Sequence, residues 1–313
     1  MLKSVMNLKM LALKTATYFS THSFARRSVS TGALLLLLFC VVFFGKIYGA
    51  LALMTLVSTL ALYEFYKLAD HFGGRPRKAV GLLLGTLLVP FFHYSATKDP
   101  VAAAEGAPAL LGAVGAVFLF GLWLMATKKI PVPVKALSTV FGLIYIPLAV
   151  GFYALLAGLY GMDGVLLCVW IVLAAKFTDI GGLVVGCRFG KHKLAPNVSP
   201  KKTWEGVIGG VAFSMLGSAG LIAAFNHFEV WEKNLEGQAL RIAEFPVWEA
   251  ALLAVPIAGT SVVSDLIESA FKRQAGDKDS GATIPGIGGA LDLLDSLIFV
   301  APLGYALVVY VVL

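Results

Sequence analysis

Long apolar stretches recur along the chain and are separated by short polar segments. They fall at about 31–46, 49–65, 79–97, 107–126, 134–159, 162–186, 206–226, 247–264 and 288–313. A helix of about 20 mostly apolar residues can cross the hydrocarbon core of a bilayer. The pattern therefore predicts an all-α, polytopic integral membrane protein with about nine transmembrane helices.

Composition supports this interpretation. The chain is 58% hydrophobic and 14% charged, whereas soluble domains contain roughly 45–50% apolar and about 25% charged residues. A water-facing globular surface is therefore excluded. Cys40, Cys168 and Cys187 lie inside or at the edge of apolar stretches and have no paired spacing, so we expect small buried side chains and no disulfide framework.

The positive charge is distributed along the chain in a way that predicts its orientation. Alternate segments hold 20 of the 25 lysine and arginine residues, and the opposite loops hold four. The basic segments are 1–30, 66–78, 127–135, 187–205 and 265–287. Because cytoplasmic loops are enriched in lysine and arginine, these segments and the N-terminus are predicted to be cytoplasmic. The chain has a net charge of +7. Because its basic residues lie in short segments between apolar stretches, we expect no nucleic-acid partner.

The N-terminal segment differs from the remainder. Residues 1–30 interleave Lys3, Lys9 and Lys14 with leucines and methionines, which is typical of a basic amphipathic helix on an anionic membrane surface. A cleaved signal is the alternative, but its basic region would be unusually long. We therefore divide the chain into this segment, 1–30, and a membrane-embedded domain, 31–313.

Ionisable residues occur where a membrane span should exclude them. Lys176 and Asp179 lie near the end of the stretch 162–186, and their spacing puts them on one helix face. Charged groups inside a membrane are costly and usually face a site or a partner. The alternative is an ion pair with no further role.

A second polar group precedes the stretch 206–226. It reads Ser199-Pro200-Lys201-Lys202-Thr203-Trp204-Glu205-Gly206. With Ser199 as a candidate N-cap, helix N–H groups together with Lys201 and Lys202 would form a phosphate-binding cradle. Lysines beside a span also anchor proteins to anionic lipid, so this group is weak on its own.

The third polar group spans Ser264 to Asp295 and contains the largest set of candidate metal-binding and phosphate-binding residues. Asp265 and Glu268 share a helix face with Lys272 one turn further, and Asp292 and Asp295 repeat the same spacing. Carboxylates without histidine or thiolate suit a hard cation such as Mg²⁺. The cations beside them, Lys272, Arg273 and Lys278, suit phosphates. A solvated, charge-balanced loop is the plain alternative.

Two of these groups resemble a known family. The run from Ser264 to Asp295 is similar to the signature of CDP-diacylglycerol synthases, also called phosphatidate cytidylyltransferases: S-D-x-x-E-S-x-x-K-R-x-x-x-x-K-D-S followed by P-G-H-G-G-x-x-D-R-x-D-S. The run Phe189–Gly206 matches a second family block, and Glu64-Phe65-Tyr66 is a weaker echo. Two positions depart: Ile287 replaces the usual histidine and Leu293 the usual arginine.

The resemblance implies transfer of CMP from CTP to phosphatidic acid, giving CDP-diacylglycerol and pyrophosphate, at the cytoplasmic face of the bilayer. The expected catalytic residues are Asp265, Lys272 and Asp292. The expected Mg²⁺ ligands are Asp265, Asp292 and Asp295, with a second monovalent or divalent cation as an option. The expected substrate-binding residues are Lys176, Asp179, Ser199, Lys201, Lys202, Ser264, Glu268, Arg273, Lys278 and Asp279.

Several alternatives stay open at this point. A transporter could use Lys176 and Asp179 in an ion path, although transporters place such charges near mid-membrane within paired repeats. Within the enzyme class, the acceptor could be another lipid phosphate or a polyprenyl acceptor, and Ile287 with Leu293 could mark an inactive relative. A bacterial inner membrane is the expected location, and a homodimer is a candidate assembly.

Overall fold

The computed structural model of the protein describes residues 44–127, 130–131, 137–228, 230, 245–277, 281 and 288–312. Within them, six apolar helices are long enough to cross a membrane: α1 (Phe44–His71), α2 (Lys78–Lys98), α3 (Pro100–Thr127), α4 (Ser138–Phe189), α5 (Trp204–His227) and α6 (Val247–Ala275). Two shorter helices follow: α7 (Ala290–Leu294) and α8 (Val300–Val312).

One small sheet interrupts the helical fold. Strands β1 (Lys193–Ala195) and β2 (Ser199–Thr203) pair antiparallel between α4 and α5. The all-α prediction is therefore nearly right, and the hairpin is its exception among the described residues. The hairpin contains two prolines and several lysines, which do not favour continuation of an apolar helix.

The longest helix, α4, folds back on itself at Gly161. Gly161 has φ 60° and ψ −132°, a combination that only glycine adopts readily. The Sγ of Cys168 donates to the carbonyl oxygen of Tyr153 at 3.3 Å, although residues 15 apart in a straight helix would be roughly 22 Å apart. The two halves of α4 are therefore antiparallel arms that meet at Gly161, and they correspond to the predicted spans 134–159 and 162–186.

This bent helix forms the centre of the molecule. In its most apolar window 78% of the residues are buried, against 22–44% in the other five long helices. The outer helices instead expose large apolar side chains such as Leu83, Phe91 and Leu216, as helices facing lipid do. The second arm of α4 packs very closely on α5, because a Cβ at Gly181 would lie 2.6 Å from the carbonyl oxygen of Gly209. Small residues permit this close approach between membrane helices.

The first and last of the nine predicted spans differ in outcome from the spans between them. The segment 1–30 and most of the predicted span 31–46 lie outside the described residues. The predicted span 288–313 is divided into α7, a turn at 295–299 and α8. The count of nine and the cytoplasmic N-terminus therefore stay predictions, while the multi-pass, nearly all-helical architecture is confirmed.

Candidate active site

A cluster of three carboxylates lies where α6 meets the turn after α7. Single carboxylate oxygens of Asp265, Glu268 and Asp295 all lie within 4.8 Å of one another. Asp265 and Glu268 are three residues apart on one face of α6, as their spacing predicts. Asp295 is fastened beside them, because the Ser264 hydroxyl donates to its backbone carbonyl oxygen. Three negative charges this close repel one another and call for cations.

Lys272 neutralises the buried side of this cluster. Its Nζ pairs with the Glu268 carboxylate one turn earlier and lies 2.8 Å from Oδ1 of Asp292. The Glu268 side chain is 1% exposed and that of Lys272 is 11% exposed, so the pair is desolvated. The other oxygen of Asp292, Oδ2, accepts the N–H of Gly289 at 2.7 Å. We call Glu268, Lys272 and Asp292 the buried charge group.

Lys176 connects the second arm of α4 to the same turn. Its Nζ donates to the hydroxyl oxygen of Ser296 at 2.8 Å and to the carbonyl oxygen of Leu293 at 3.3 Å. It also pairs with Asp179 at 3.4 Å, and Ser296 donates to that same carboxylate at 3.1 Å. The ion pair between Lys176 and Asp179 is thus real, and both residues also contact the segment that carries Asp295.

The hairpin β1–β2 brings a second set of cations to the cluster. The Nζ of Lys202 lies 2.6 Å from Oδ2 of Asp265. Arg273 on α6 donates its Nε–H to the carbonyl oxygen of Val198 at 3.4 Å, which joins α6 to the hairpin turn. Lys201, next in the strand, is exposed. We call the hairpin Lys193–Thr203 the basic hairpin.

The N-cap prediction for Ser199 is wrong. Ser199 begins strand β2, where it is the register partner of Ala195. Helix α5 begins at Trp204, and the cap is Thr203, whose side-chain oxygen accepts the N–H of Gly206 at 3.2 Å. The apolar pattern locates the helix, but the antiparallel pairing of the preceding residues sets where it starts.

The structure brings together most of the predicted site residues. Those at or beside the carboxylate cluster are Lys176, Asp179, Lys202, Ser264, Asp265, Glu268, Lys272, Arg273, Asp292 and Asp295. Ser199 and Lys201 lie on the hairpin. Lys278, Asp279 and Ile287 lie outside the described residues.

Two contributors have no place in the sequence-based site. Ser296, next to Asp295, accepts from Lys176 and donates to Asp179. Glu64 on α1 is 2% exposed, and its Oε2 accepts the N–H of Leu291 at 2.8 Å. The sequence contains two signals for Glu64: the family echo Glu64-Phe65-Tyr66, and a carboxylate inside an apolar stretch, which is costly to bury unless it has partners.

The donor set fits a divalent cation. All three members of the cluster are carboxylates, with no sulfur or imidazole among them, and such oxygen donors suit Mg²⁺. The set that the structure draws together contains Glu268, whereas Asp292, the third ligand expected from the sequence, contacts Lys272 and Gly289. Asp265 and Asp295 belong to both sets.

The fold and this cluster are those of a multi-pass membrane protein with a candidate site for a divalent cation. The sequence profile of the cytidylyltransferase family matches residues 25–311, and the chain belongs to that family.

Its relatives include proteins with a more specific name. The phosphatidate cytidylyltransferase of Haemophilus influenzae is 31% identical over 288 residues, which cover 88% of this chain and 96% of that protein. The protein of the same name from Mycobacterium bovis is 34% identical over 207 residues, covering 60% of this chain and 61% of that protein. The Synechocystis protein of that name is 40% identical over 144 residues, covering 45% and 41%.

Proposed function

We propose that this protein transfers CMP from CTP to phosphatidic acid, forming CDP-diacylglycerol and pyrophosphate for phospholipid synthesis. The observation that carries the proposal is the cluster of Asp265, Glu268 and Asp295 with lysines on two sides. A relative named phosphatidate cytidylyltransferase, from Haemophilus influenzae, matches the chain over 96% of its own length. Together they favour a nucleotide substrate with several phosphates and a lipid acceptor.

The cluster is the proposed site of a divalent cation. Asp265 and Asp295, with Glu268 or Asp292, would bind Mg²⁺, which when bound offsets negative charge on the triphosphate and on the departing pyrophosphate. The position of Asp265 in the chain's own structure indicates where the phosphates of the nucleotide would bind. Asp265 lies where the basic hairpin and the buried charge group meet, and it is 22% exposed at its side chain. It therefore borders the space that a soluble nucleotide can reach.

The basic residues are proposed to bind the phosphates. Lys202 is 24% exposed at its side chain, and Lys201 and Arg273 are exposed. A lysine whose partner is one partly exposed carboxylate can also donate to a phosphate oxygen, and charge-assisted hydrogen bonds of this kind are strong. Lys278 is proposed to add to this set on the basis of its place in the sequence.

The reaction itself needs little proton chemistry. An oxygen of the phosphatidate headgroup forms a bond to the α-phosphorus of CTP, and the bond from that phosphorus to the β-phosphate oxygen breaks and releases pyrophosphate. The attacking oxygen already carries negative charge near neutral pH, so a strong general base is not required. Catalysis then consists mainly of positioning and electrostatic stabilisation by Lys202, Lys176 and their neighbours.

We place the site at the cytoplasmic face. The three basic segments 66–78, 187–205 and 265–287 are predicted to lie on one side of the membrane. His71 pairs with Asp277 at 2.6 Å, and Arg273 contacts the carbonyl of Val198. These contacts join all three segments to one another, as a common side requires. Soluble CTP and the lipid headgroup meet at that surface, which we propose to be the inner face of a bacterial cell membrane.

A direct assay tests this function. Purified protein in mixed micelles is incubated with CTP labelled in its α-phosphate, with Mg²⁺ and with phosphatidic acid, and the lipid fraction is examined for a labelled CDP-lipid. The Asp295→Asn variant serves as the matched control, since it removes one charge of the cluster with almost no change in volume. A label in the lipid fraction that requires both phosphatidic acid and Asp295 supports the proposal. Label transfer that is equal without phosphatidic acid, or that occurs only with a polyprenyl phosphate, contradicts it.

A further inference from the structure

Glu64 is a buried carboxylate in the last third of the apolar helix α1, seven residues before its end at His71. It lies in α1, where the adjacent Phe65 and Tyr66 are fully buried, and Glu64 itself is 2% exposed. Burying a charged group is unfavourable unless it is paired or hydrogen-bonded. Its position is therefore best understood through the groups it contacts.

One oxygen of Glu64 contacts the start of α7. Oε2 accepts the backbone N–H of Leu291 at 2.8 Å, across 227 positions of sequence. The first N–H groups of a helix have no partner within that helix. Leu291 directly precedes Asp292 and lies four residues before Asp295, so this hydrogen bond fixes the short helix that presents both aspartates.

The other oxygen of Glu64 lies against Gly281. A Cβ at Gly281 would come within 2.6 Å of Oε1 of Glu64. Gly281 belongs to the connection between α6 and α7, which are the two elements that supply the carboxylate cluster. A single buried carboxylate thus touches this connection and also the helix that follows it.

A second residue of α1 contacts the beginning of the same connection. His71 lies seven residues after Glu64, hence on the same helix face. Its Nδ1 is 2.6 Å from Oδ2 of Asp277, which follows the left-handed Gly276 at the end of α6 (φ 80°). The face of α1 therefore contacts both Asp277 at the start of the connection and Leu291 just beyond its end.

We propose that Glu64 is a positioning residue of the active site, which rests on the proposed CMP transfer. Its carboxylate sets the place of α7 and of Gly281, and through them the distance of Asp292 and Asp295 from Asp265 on α6. It does not touch the reacting groups. Loss of the carboxylate should loosen the Leu291 amide and weaken the use of Mg²⁺, while loss of its charge alone should do little.

The test compares three substitutions on α1. Glu64→Ala removes both contacts, and Glu64→Gln keeps a carbonyl oxygen that can accept from Leu291. Asp70→Asn is the matched control. Asp70 on α1 pairs with Lys78 at 2.5 Å, so this variant removes a carboxylate charge from the same helix without touching the connection between α6 and α7. Gly281→Ala is a fourth variant that disturbs the Glu64 contact from the opposite side.

Two measurements are made on each purified protein. Hydrogen–deuterium exchange of peptides covering 288–294 reports on the Leu291 amide without any turnover. The Mg²⁺ concentration for half-maximal CMP transfer reports on the cluster. For Glu64→Ala we expect about tenfold faster exchange and an about tenfold higher Mg²⁺ requirement, as for the loss of one hydrogen bond to a charged group. Glu64→Gln and Asp70→Asn should stay within about twofold of the wild type.

The outcomes separate this inference from the proposed function. Unchanged exchange in Glu64→Ala, or equal damage in Glu64→Gln, would overturn the positioning role. If Glu64→Ala does not fold, faster exchange in Gly281→Ala with normal exchange in Asp70→Asn supports the role, and unchanged exchange in Gly281→Ala overturns it. If the wild type makes no CDP-lipid, the proposed function fails, and the exchange data alone still decide whether Glu64 holds α7.

Discussion

The buried charge group and the basic hairpin both place lysine beside carboxylate, but they differ in exposure. Lys272 lies between Glu268 and Asp292, with side-chain exposures of 11%, 1% and 16%. Lys202 and Asp265 are 24% and 22% exposed. A largely buried charge depends on its partners for stability, whereas a more exposed lysine can exchange partners. The buried group therefore maintains the site, and the hairpin is the part suited to meet a substrate phosphate.

The largest expected effect lies where the two regions meet. Asp265→Asn removes one charge of the cluster, and CMP transfer should fall by about a thousandfold, because metal-assisted charge stabilisation contributes several kcal/mol. The rate is measured with labelled CTP at saturating Mg²⁺. Lys202→Met controls for the simultaneous loss of the Lys202–Asp265 pair, and a comparable defect in both variants would argue against a distinct role for the carboxylate.

The second effect tests the buried charge group by itself. Lys272→Met leaves the Glu268 carboxylate buried without its cation, and the free energy of unfolding should fall by about 3 kcal/mol. Thermal unfolding in detergent measures it. The adjacent, exposed Arg273 provides the matched variant, and Arg273→Met should change stability by less than about 0.5 kcal/mol. Equal shifts in the two variants would remove the distinction between the regions.

The third effect tests the hairpin as a substrate contact. Lys202→Met should raise the KM for CTP by about tenfold through the loss of a charge-assisted hydrogen bond, with a thermal unfolding midpoint close to that of the wild type. Lys193→Met removes an exposed lysine from the other strand of the hairpin and should leave KM within about twofold. A lower unfolding midpoint without a change in the KM for CTP would show that Lys202 stabilises the fold and does not bind the substrate.

The smallest effect concerns the start of α5. Thr203→Ala removes the side-chain cap on the N–H of Gly206, which should cost about 1 kcal/mol of stability. Ser199→Ala, four residues earlier in β2, should leave the unfolding midpoint unchanged because Ser199 caps no helix. A larger loss of stability in Ser199→Ala than in Thr203→Ala would support Ser199 as the N-cap, as expected from the sequence.

The sequence alone predicted the class of fold and much of the site. The apolarity and length of a stretch depend only on local sequence, and six of the described helices are long and apolar enough to cross a membrane, although the predicted count of nine is not tested. Helical spacing likewise put Lys176 and Asp179 on one helix face and Lys272 one turn beyond Glu268, and both pairs are in contact. Such pairs depend only on the geometry of one helix.

Only the tertiary structure decided how separate segments meet. The pairing of Lys202 with Asp265 and the hydrogen bond from Leu291 to Glu64 join residues far apart in the chain. The composition of each segment does not encode these contacts, because they result from how close-packed helices fit together. For the same reason Glu268 rather than Asp292 lies in the cluster of three carboxylates, a choice that spacing on a single helix could not make.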